Sequence, residues 1–265
     1  MKENKRYEAF TYSRRNQGDI SETLKGCYFS GIIPPTIGDL TELTSLRIFS
    51  NNFSGPLPST ISNLVQLVEF DVSSNNLAGK IPNIFSNFTK LKSLSLSYNL
   101  FTGLFPSSVT NLTKLESLEL SSCSITGPIP SVTAGFPNLI LIFLADNSLN
   151  GEIPSWIFDL PSLEYLVLRA NKLTGQLKEV RHSLLKVVDV GENKLHGPIP
   201  ASFSKLVNLT TLDLSTNNLY GGLDIGRPKW FLRIVNQQVY RIVKKIEANR
   251  RTEAKRRRQK RRGMK

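Results

Sequence analysis

The sequence has few of the residues from which catalytic and metal sites are usually assembled. Only two histidines, His182 and His196, and two cysteines, Cys27 and Cys123, occur among its 265 residues. Neither histidine has a second ligand at metal-binding spacing, and no phosphate loop, dinucleotide fingerprint or nucleophile elbow occurs. We therefore expect no metal site, no cofactor and no enzymatic activity, with both histidines in solvent-exposed loops.

Long apolar runs are also missing. No stretch approaches the roughly 18 consecutive apolar residues that a membrane-spanning helix needs. The N-terminal stretch MKENKRYEAFTYSRRN lacks the apolar core of a secretory signal peptide. Taken by itself, the sequence predicts neither export nor a membrane span.

Acidic residues are scarce at one end only. The net charge of +13 would favour a nucleic-acid partner if it were spread over the fold. Residues 227–265, however, hold 16 Lys and Arg against two Glu, which leaves 18 basic and 19 acidic residues for the rest of the chain. The basicity therefore belongs to the C-terminal segment.

Glycine recurs at a nearly constant interval. The glycine column consists of Gly31, Gly55, Gly79, Gly103, Gly127, Gly151, Gly175, Gly197 and Gly221. Four residues before each glycine stands a second column of Cys27, Asn51, Asn75, Asn99, Cys123, Asn147, Asn171, Asn193 and Asn217. The step is 24 residues except for 22 between Gly175 and Gly197. Two columns in register predict a tandem structural repeat.

Apolar residues keep a fixed rhythm within each repeat, as in Leu115, Leu118 and Leu120 before Cys123. The L-x-L step predicts a short strand with one buried face, and such strands can pair in parallel between repeats. We expect the recurring asparagine amide to bond backbone groups that the following turn leaves unpaired. Cysteine is a small buried substitute there, and glycine permits a turn at positive φ.

The motif L-x-G-x-I-P follows the asparagine, as in Gly31-Ile-Ile-Pro34 and Gly79-Lys-Ile-Pro82. This pattern resembles the leucine-rich repeats of plant receptor-like proteins, receptor-like kinases and polygalacturonase-inhibiting proteins. The resemblance implies an α/β solenoid of about nine repeats of about 24 residues, with a concave parallel sheet and few full helices. The repeat that begins at Gly175 lacks the proline and has 22 residues, which predicts a local irregularity.

Three segments follow from these patterns: a non-repeat N-terminal segment of residues 1–23, a solenoid of residues 24–226, and a basic segment of residues 227–265. Apolar residues between Phe231 and Ile246 have helical spacing and predict an amphipathic helix, followed by a disordered basic tail. This segment is typical of nucleic-acid or nuclear-localisation sequences, and it also suits an anionic membrane or calmodulin. Alternatively, the apolar face covers the end of the last repeat near Leu223.

The two cysteines are 96 residues apart, which is four repeats. Strands about 4.8 Å apart would separate them by roughly 19 Å. A disulfide needs Cα atoms within about 7 Å, so both thiols are predicted to be free, buried and structural.

Four asparagines are glycosylation candidates: Asn52, Asn87, Asn111 and Asn208. With the family resemblance they imply an extracellular or plasma-membrane location. The absence of a recognisable export signal leaves the cytoplasm or nucleus as the alternative.

The outward-pointing column inside L-x-L reads Arg47, Asp71, Ser95, Glu119, Phe143, Val167, Asp189 and Asp213. Most of it is polar, but Leu141, Phe143, Tyr165 and Val167, with Arg169 beside them, form an apolar exception. Aromatic and Arg side chains dominate interface hot spots, so we predict ligand binding there, with Arg47 and Phe49 as a second candidate. The alternative is that the patch packs sideways on itself.

The resemblance implies a protein, peptide or carbohydrate ligand on the concave face, together with a possible co-receptor. The corresponding function is the recognition ectodomain of a receptor-like protein in defence or developmental signalling. Two alternatives remain at the level of sequence: an inhibitor of a secreted cell-wall hydrolase, and a nuclear or nucleic-acid-associated scaffold that acts through the basic segment.

Overall fold

The computed structural model describes residues 20–23, 29–131, 136–181 and 184–221. The amphipathic helix predicted within residues 227–265 lies outside these residues, as do Cys27 and His182. The described residues form a stack of short parallel strands with few helices, which confirms the predicted solenoid.

A nine-stranded parallel sheet runs through the described part of the chain; we call it the concave sheet. Its strands are β1 (Ile20–Thr23), β3 (Leu43–Arg47), β5 (Glu69–Asp71), β7 (Ser93–Ser95), β9 (Ser117–Glu119), β11 (Leu141–Phe143), β13 (Tyr165–Val167), β15 (Val187–Asp189) and β17 (Thr211–Asp213). Each strand pairs with the same position one repeat away, so Leu94 lies opposite Leu118. The sheet begins at Ile20, within the segment that the sequence assigns to the non-repeat N-terminus.

A second ladder of strands follows the asparagine column. It contains β2 (Ser30–Ile32), β4 (Asn52–Gly55), β6 (Asn76–Lys80), β8 (Leu100–Leu104), β10 (Ser124–Pro128), β12 (Ser148–Glu152) and β14 (Lys172–Thr174), and then a separate pair of β16 (His196–Pro198) and β18 (Asn218–Tyr220). The regular strand pairing breaks between β14 and β16, at the 22-residue repeat, although backbone hydrogen bonds from Lys194 to Leu173 and from His196 to Gly175 still join the two repeats. This break confirms the predicted irregularity.

The return segments are single turns rather than full helices. They comprise 3₁₀ turns at Pro35–Asp39, Ser59–Asn63, Phe85–Asn87, Ser107–Asn111 and Ala201–Lys205, and one short helix, α1 (Ser155–Phe158). Most begin directly after the proline of the repeat motif, as at Pro58, where φ is −67°. Proline fixes φ near this value and lacks the N–H that the first turn leaves unpaired, so it starts a turn without cost.

The asparagine column bonds the turn that follows each strand of the concave sheet. Asn75 donates from Nδ2 to the carbonyls of Ile48, Val72 and Ser73 at 3.0–3.2 Å, and its Oδ1 accepts the N–H of Phe53 at 3.0 Å. Ile48 and Phe53 belong to the preceding repeat, so one side chain joins two turns of the coil. This geometry confirms the role predicted for the column.

Cys123 occupies the same column as a free thiol. Its Sγ lies 3.7 Å from the carbonyl oxygens of Leu96 and Ser121, which are weak contacts. Desolvation raises the pKa of the thiol to about 11, so little thiolate is present at neutral pH. The side chain is half-buried rather than fully buried, because it lies in the turn after β9 at the margin of the core.

Cys123→Asn is expected to raise the free energy of unfolding by about 1 kcal/mol, because an amide replaces weak thiol contacts with hydrogen bonds to the same carbonyls. Urea denaturation would measure the change. Cys123→Ser serves as the control, since its shorter side chain cannot bridge two repeats. Equal stability of the two variants would contradict the column geometry.

Candidate ligand-binding surface on the concave sheet

Residues of the concave sheet alternate between two faces, as the pleat of a strand requires. The inward column is uniformly apolar and buried: Leu46, Phe70, Leu94, Leu118, Ile142, Leu166, Val188 and Leu212. The outward columns vary from repeat to repeat, and they contain all the ligand-binding candidates that the sequence suggested. The geometry of these candidates falls into three groups along the sheet.

The central apolar patch packs against itself. Leu141, Phe143 and Val167 are between 1% and 5% exposed, and with Ala145 and Val187 they form an apolar cluster separate from the core. Tyr165 packs on this cluster but remains half-buried. The alternative considered for the sequence, in which the patch packs sideways on itself, therefore describes Leu141, Phe143 and Val167. Of the four predicted apolar residues, Tyr165 is the one that remains accessible to solvent.

Lysine flanks the accessible tyrosine. Lys186 Nζ lies 5.9 Å from the centre of the Tyr165 ring, within the range of a cation–π contact. The same ammonium group bonds Glu164 Oε2 at 2.7 Å, and this hydrogen bond raises the pKa of Lys186. The edge of the patch thus carries a charged pair that orients the tyrosine.

Arg169 forms ion pairs with carboxylates of the following repeats. Its Nη1 donates to Asp213 Oδ2 at 2.8 Å and lies 4.0 Å from Asp189 Oδ1, while Nη2 bonds Glu192. Asp189 and Asp213 are opposite each other in the parallel ladder, and both are fully buried. One guanidinium therefore serves three carboxylates.

The Asp189 carboxylate is buried with an incomplete set of hydrogen bonds. Its Oδ1 accepts the N–H of Gly191 at 3.1 Å, but its Oδ2 is buried without a hydrogen-bond partner. Burial, reinforced by the neighbouring Asp213 carboxylate, raises the pKa of Asp189 to about 7, against the opposing effects of the Gly191 N–H and Arg169. The sequence placed Asp189 and Asp213 on a solvated face and did not reveal this buried cluster.

The second candidate pair lies at the N-terminal end of the sheet. Arg47 Nη2 is 2.5 Å from Glu69 Oε2, and the Ser45 hydroxyl donates to the same oxygen at 3.0 Å. Phe49 is buried. The Arg47 guanidinium is thus held by a carboxylate of the next repeat.

Charge is distributed unequally between the concave face and the rest of the repeats. The outward columns and the turn directly after them carry seven acidic and two basic side chains: Glu69, Asp71, Glu119, Asp146, Asp189, Glu192 and Asp213 against Arg47 and Arg169. The other described residues between 29 and 221 carry seven acidic and ten basic side chains. With every carboxylate counted as ionised, a formal net charge of −5 on the concave face therefore stands beside +3 elsewhere. Asp189, whose pKa is about 7, contributes only part of its charge at neutral pH, and the Lys186–Glu164 pair at the edge of the patch is neutral as a pair.

The remaining candidates are polar surface positions. Asn52, Asn87, Asn111 and Asn208 are all exposed, as glycosylation acceptors must be, and so is His196 on β16. Among the described residues, no group of three or more His, Cys, Asp or Glu has the geometry of a metal site. No helix in that part of the chain combines the length and apolar character needed to cross a bilayer.

Comparison with known families and structures agrees with the repeat geometry. Residues 42–64 and 66–125 match family descriptions of the leucine-rich repeat. The ectodomain of the Arabidopsis thaliana membrane receptor kinase GASSHO1/SCHENGEN3, solved with CASPARIAN STRIP INTEGRITY FACTOR 2, is 32% identical over 75% of this chain, with a TM-score of 0.72. The chain is a plant-type leucine-rich-repeat protein that resembles receptor ectodomains.

Other structures similar to this leucine-rich-repeat protein differ in function. The Arabidopsis receptor kinase HAESA, solved with the peptide hormone IDA and the co-receptor SERK1, is 31% identical over 83% of the chain, with a TM-score of 0.73. A plant ice-binding protein is 28% identical over 77% of the chain and 73% of its own length, with a TM-score of 0.60. The chain spans 24% of the GASSHO1 structure and 36% of the HAESA structure. No curated protein sequence matches it significantly.

Proposed function

We propose that the repeats form a non-catalytic module that binds an extended peptide, or an extended segment of a protein, along the concave sheet. The observation that carries this proposal is the contrast between a uniform inward column and varied outward columns on the same strands. Uniform apolar side chains maintain the scaffold, whereas varied side chains supply a surface that can discriminate between ligands. The peptide hormone IDA in the HAESA structure supports the same assignment.

The dimensions and charge of the face define the ligand further. Nine strands about 4.8 Å apart span roughly 38 Å, which matches about 11 residues of extended peptide at about 3.4 Å per residue. The net charge of −5 favours a peptide with Lys or Arg and raises its association rate. The half-buried Tyr165 offers an aromatic anchor close to the middle of the sheet. The ligand is therefore a basic peptide of about that length.

Tyr165→Ser is expected to weaken binding of such a peptide about tenfold, because the variant loses an aromatic contact at the edge of the apolar cluster. Selection of displayed random dodecapeptides on the immobilised full chain would supply the probe, and titration calorimetry would measure its affinity. Tyr220→Ser is the matched control, since Tyr220 is exposed on β18 of the second ladder. Phe143 is not a suitable test position, because its burial makes substitution a test of packing.

Equal affinity loss in the Tyr165 and Tyr220 variants would refute a peptide site on this face, and selection without enrichment of Lys or Arg would refute the preference for a basic ligand. The exposed glycosylation candidates support an extracellular setting, and the HAESA structure, which contains the co-receptor SERK1, supports a co-receptor as a further partner. A role in defence or in development is compatible with the same binding chemistry.

A further inference from the structure

We infer that the basic segment of residues 227–265 docks on the acidic concave sheet of its own chain and competes there with an external ligand. This inference rests on the proposed function, since it assigns a regulator to the same face. The occupant is a segment of this chain rather than a second protein, and three properties of the molecule support it: charge, reach and an incompletely compensated group of carboxylates.

The charges are complementary and are segregated along the sequence. The concave face has seven acidic against two basic side chains, and both arginines already pair with carboxylates of that face. The remaining described surface of residues 29–221 has a net charge of +3 and would repel a basic segment. Residues 227–265 carry 16 Lys and Arg against two Glu, so the concave face is the surface that attracts them.

The segment is long enough to reach every repeat. The described chain ends at Gly221, in the turn after β18, and 44 residues follow it. A helix of that length would span about 66 Å and an extended chain about 145 Å, whereas the nine strands span roughly 38 Å. A short connection to the binding face also raises the effective concentration of the segment to about the millimolar range.

The buried carboxylates are incompletely compensated by the positive charge within the described residues. Within the described residues, Arg169 is the basic side chain that pairs with Asp189, Glu192 and Asp213: it bonds Asp213 and Glu192 while it stays 4.0 Å from Asp189. Asp189 Oδ2 has no partner although it is buried. A Lys or Arg beside the exposed Glu192 would add positive charge at the solvent edge of this group, and residues 227–265 offer such side chains at close spacing.

The test uses the full chain and measures tryptic cleavage within residues 227–265, together with zero-length carbodiimide cross-links between its lysines and carboxylates. In Glu119→Gln/Asp146→Asn/Glu192→Gln, cleavage is expected to accelerate at least about threefold at low salt, because three attracting charges are lost. The matched variant Asp39→Asn/Glu42→Gln/Glu152→Gln removes the same charge outside the concave columns and should cleave at the wild-type rate. High salt should bring the wild type to the rate of the concave variant.

Equal cleavage of the two variants would overturn the inference. Cross-links confined to the last repeat would assign the segment to the end of the solenoid instead, and cross-links between isotopically labelled and unlabelled chains would assign it to a second copy; either result refutes the proposal. The affinity of each variant for the selected dodecapeptide distinguishes a failure of self-docking from a failure of the proposed binding function. If Arg256→Gln/Arg257→Gln/Arg258→Gln/Lys260→Gln leaves peptide affinity unchanged, self-docking fails; if no peptide binds any variant, the binding function fails.

Discussion

Asn99→Ala is expected to lower the free energy of unfolding by about 3 kcal/mol, because one substitution removes four hydrogen bonds from a buried turn. Asn99 Nδ2 donates to the carbonyls of Val72, Leu96 and Ser97 at 2.9–3.3 Å. Its Oδ1 accepts the N–H of Leu77 at 3.0 Å. Alanine leaves that N–H and part of the carbonyl set buried without partners, and it also breaks a side-chain bridge between two repeats.

Urea denaturation of the full chain would measure this loss. Asn76→Ala is the matched control, because Asn76 is exposed directly after the same column and bonds only the Asn52 side chain among the described contacts. We expect the control to lose about 0.5 kcal/mol or less. The repeats are coupled mainly to their neighbours, so Asn99→Ala should also broaden the transition. Equal losses in the two variants would contradict a structural role for the column.

The scaffold of this protein could be predicted from sequence because its determinants are local and repeated. An asparagine, an L-x-L pair and a glycine recur together, so each repeat confirms the assignment of the others. Parallel register follows from the constant 24-residue step, and the irregularity follows from the single step of 22. Backbone conformation is repeated as well: the residue before each column position from Asn51 to Asn217 has a φ of 52–58°.

The outward face could not be predicted to the same depth, because burial there depends on neighbours across strands. Phe143 looks like an exposed hot spot in a one-dimensional column, yet Leu141, Val167 and Val187 close around it. Arg169 reaches Asp213, which is 44 residues further along the chain and two strands away. The contact between Arg169 and Asp213 depends on the length of the arginine side chain and on the shortened repeat between the two residues. A periodic sequence pattern does not predict either effect.

The acidic character of the concave face illustrates the same limit. Each acidic residue is unremarkable in its own repeat, and the net charge of the chain without the basic segment is close to zero. The imbalance emerges only when the outward columns are separated from the rest of each repeat. Charge segregation, rather than net charge, is therefore the property that links this face to a basic partner.

Arg169→Gln and Asp189→Asn are expected to change stability in opposite directions at pH 8. Loss of Arg169 leaves three carboxylates without their cation and should cost about 3 kcal/mol or more, as removal of one partner from a buried ion pair does. Asp189→Asn removes a charge that the fold accommodates poorly and retains the oxygen that accepts the Gly191 N–H. It should therefore stabilise the fold at this pH by roughly 2–4 kcal/mol.

The pH dependence follows from the direction of the Asp189 shift. Its pKa is raised from 3.8 to about 7 in the folded state, so the native protein binds more protons than the unfolded chain between about pH 4 and pH 7. The favourable contribution is present below about pH 4 and is lost as the pH rises through about 7. The groups that face Asp189 are Arg169 from the turn after β13, Glu192 from the turn after β15, and Asp213 on β17.

Thermal unfolding between pH 4 and pH 8 would separate the two variants. Asp189→Asn should flatten the fall in stability across that range. Arg169→Gln should recover at pH 5, where Asp189 is protonated, the part of its loss that comes from Asp189, and the double variant should be less destabilised at pH 8 than Arg169→Gln alone. Additive effects in this cycle would mean that Arg169 and Asp189 are not coupled. Destabilisation by Asp189→Asn at pH 8 would mean that the ionised carboxylate is a satisfied part of the scaffold.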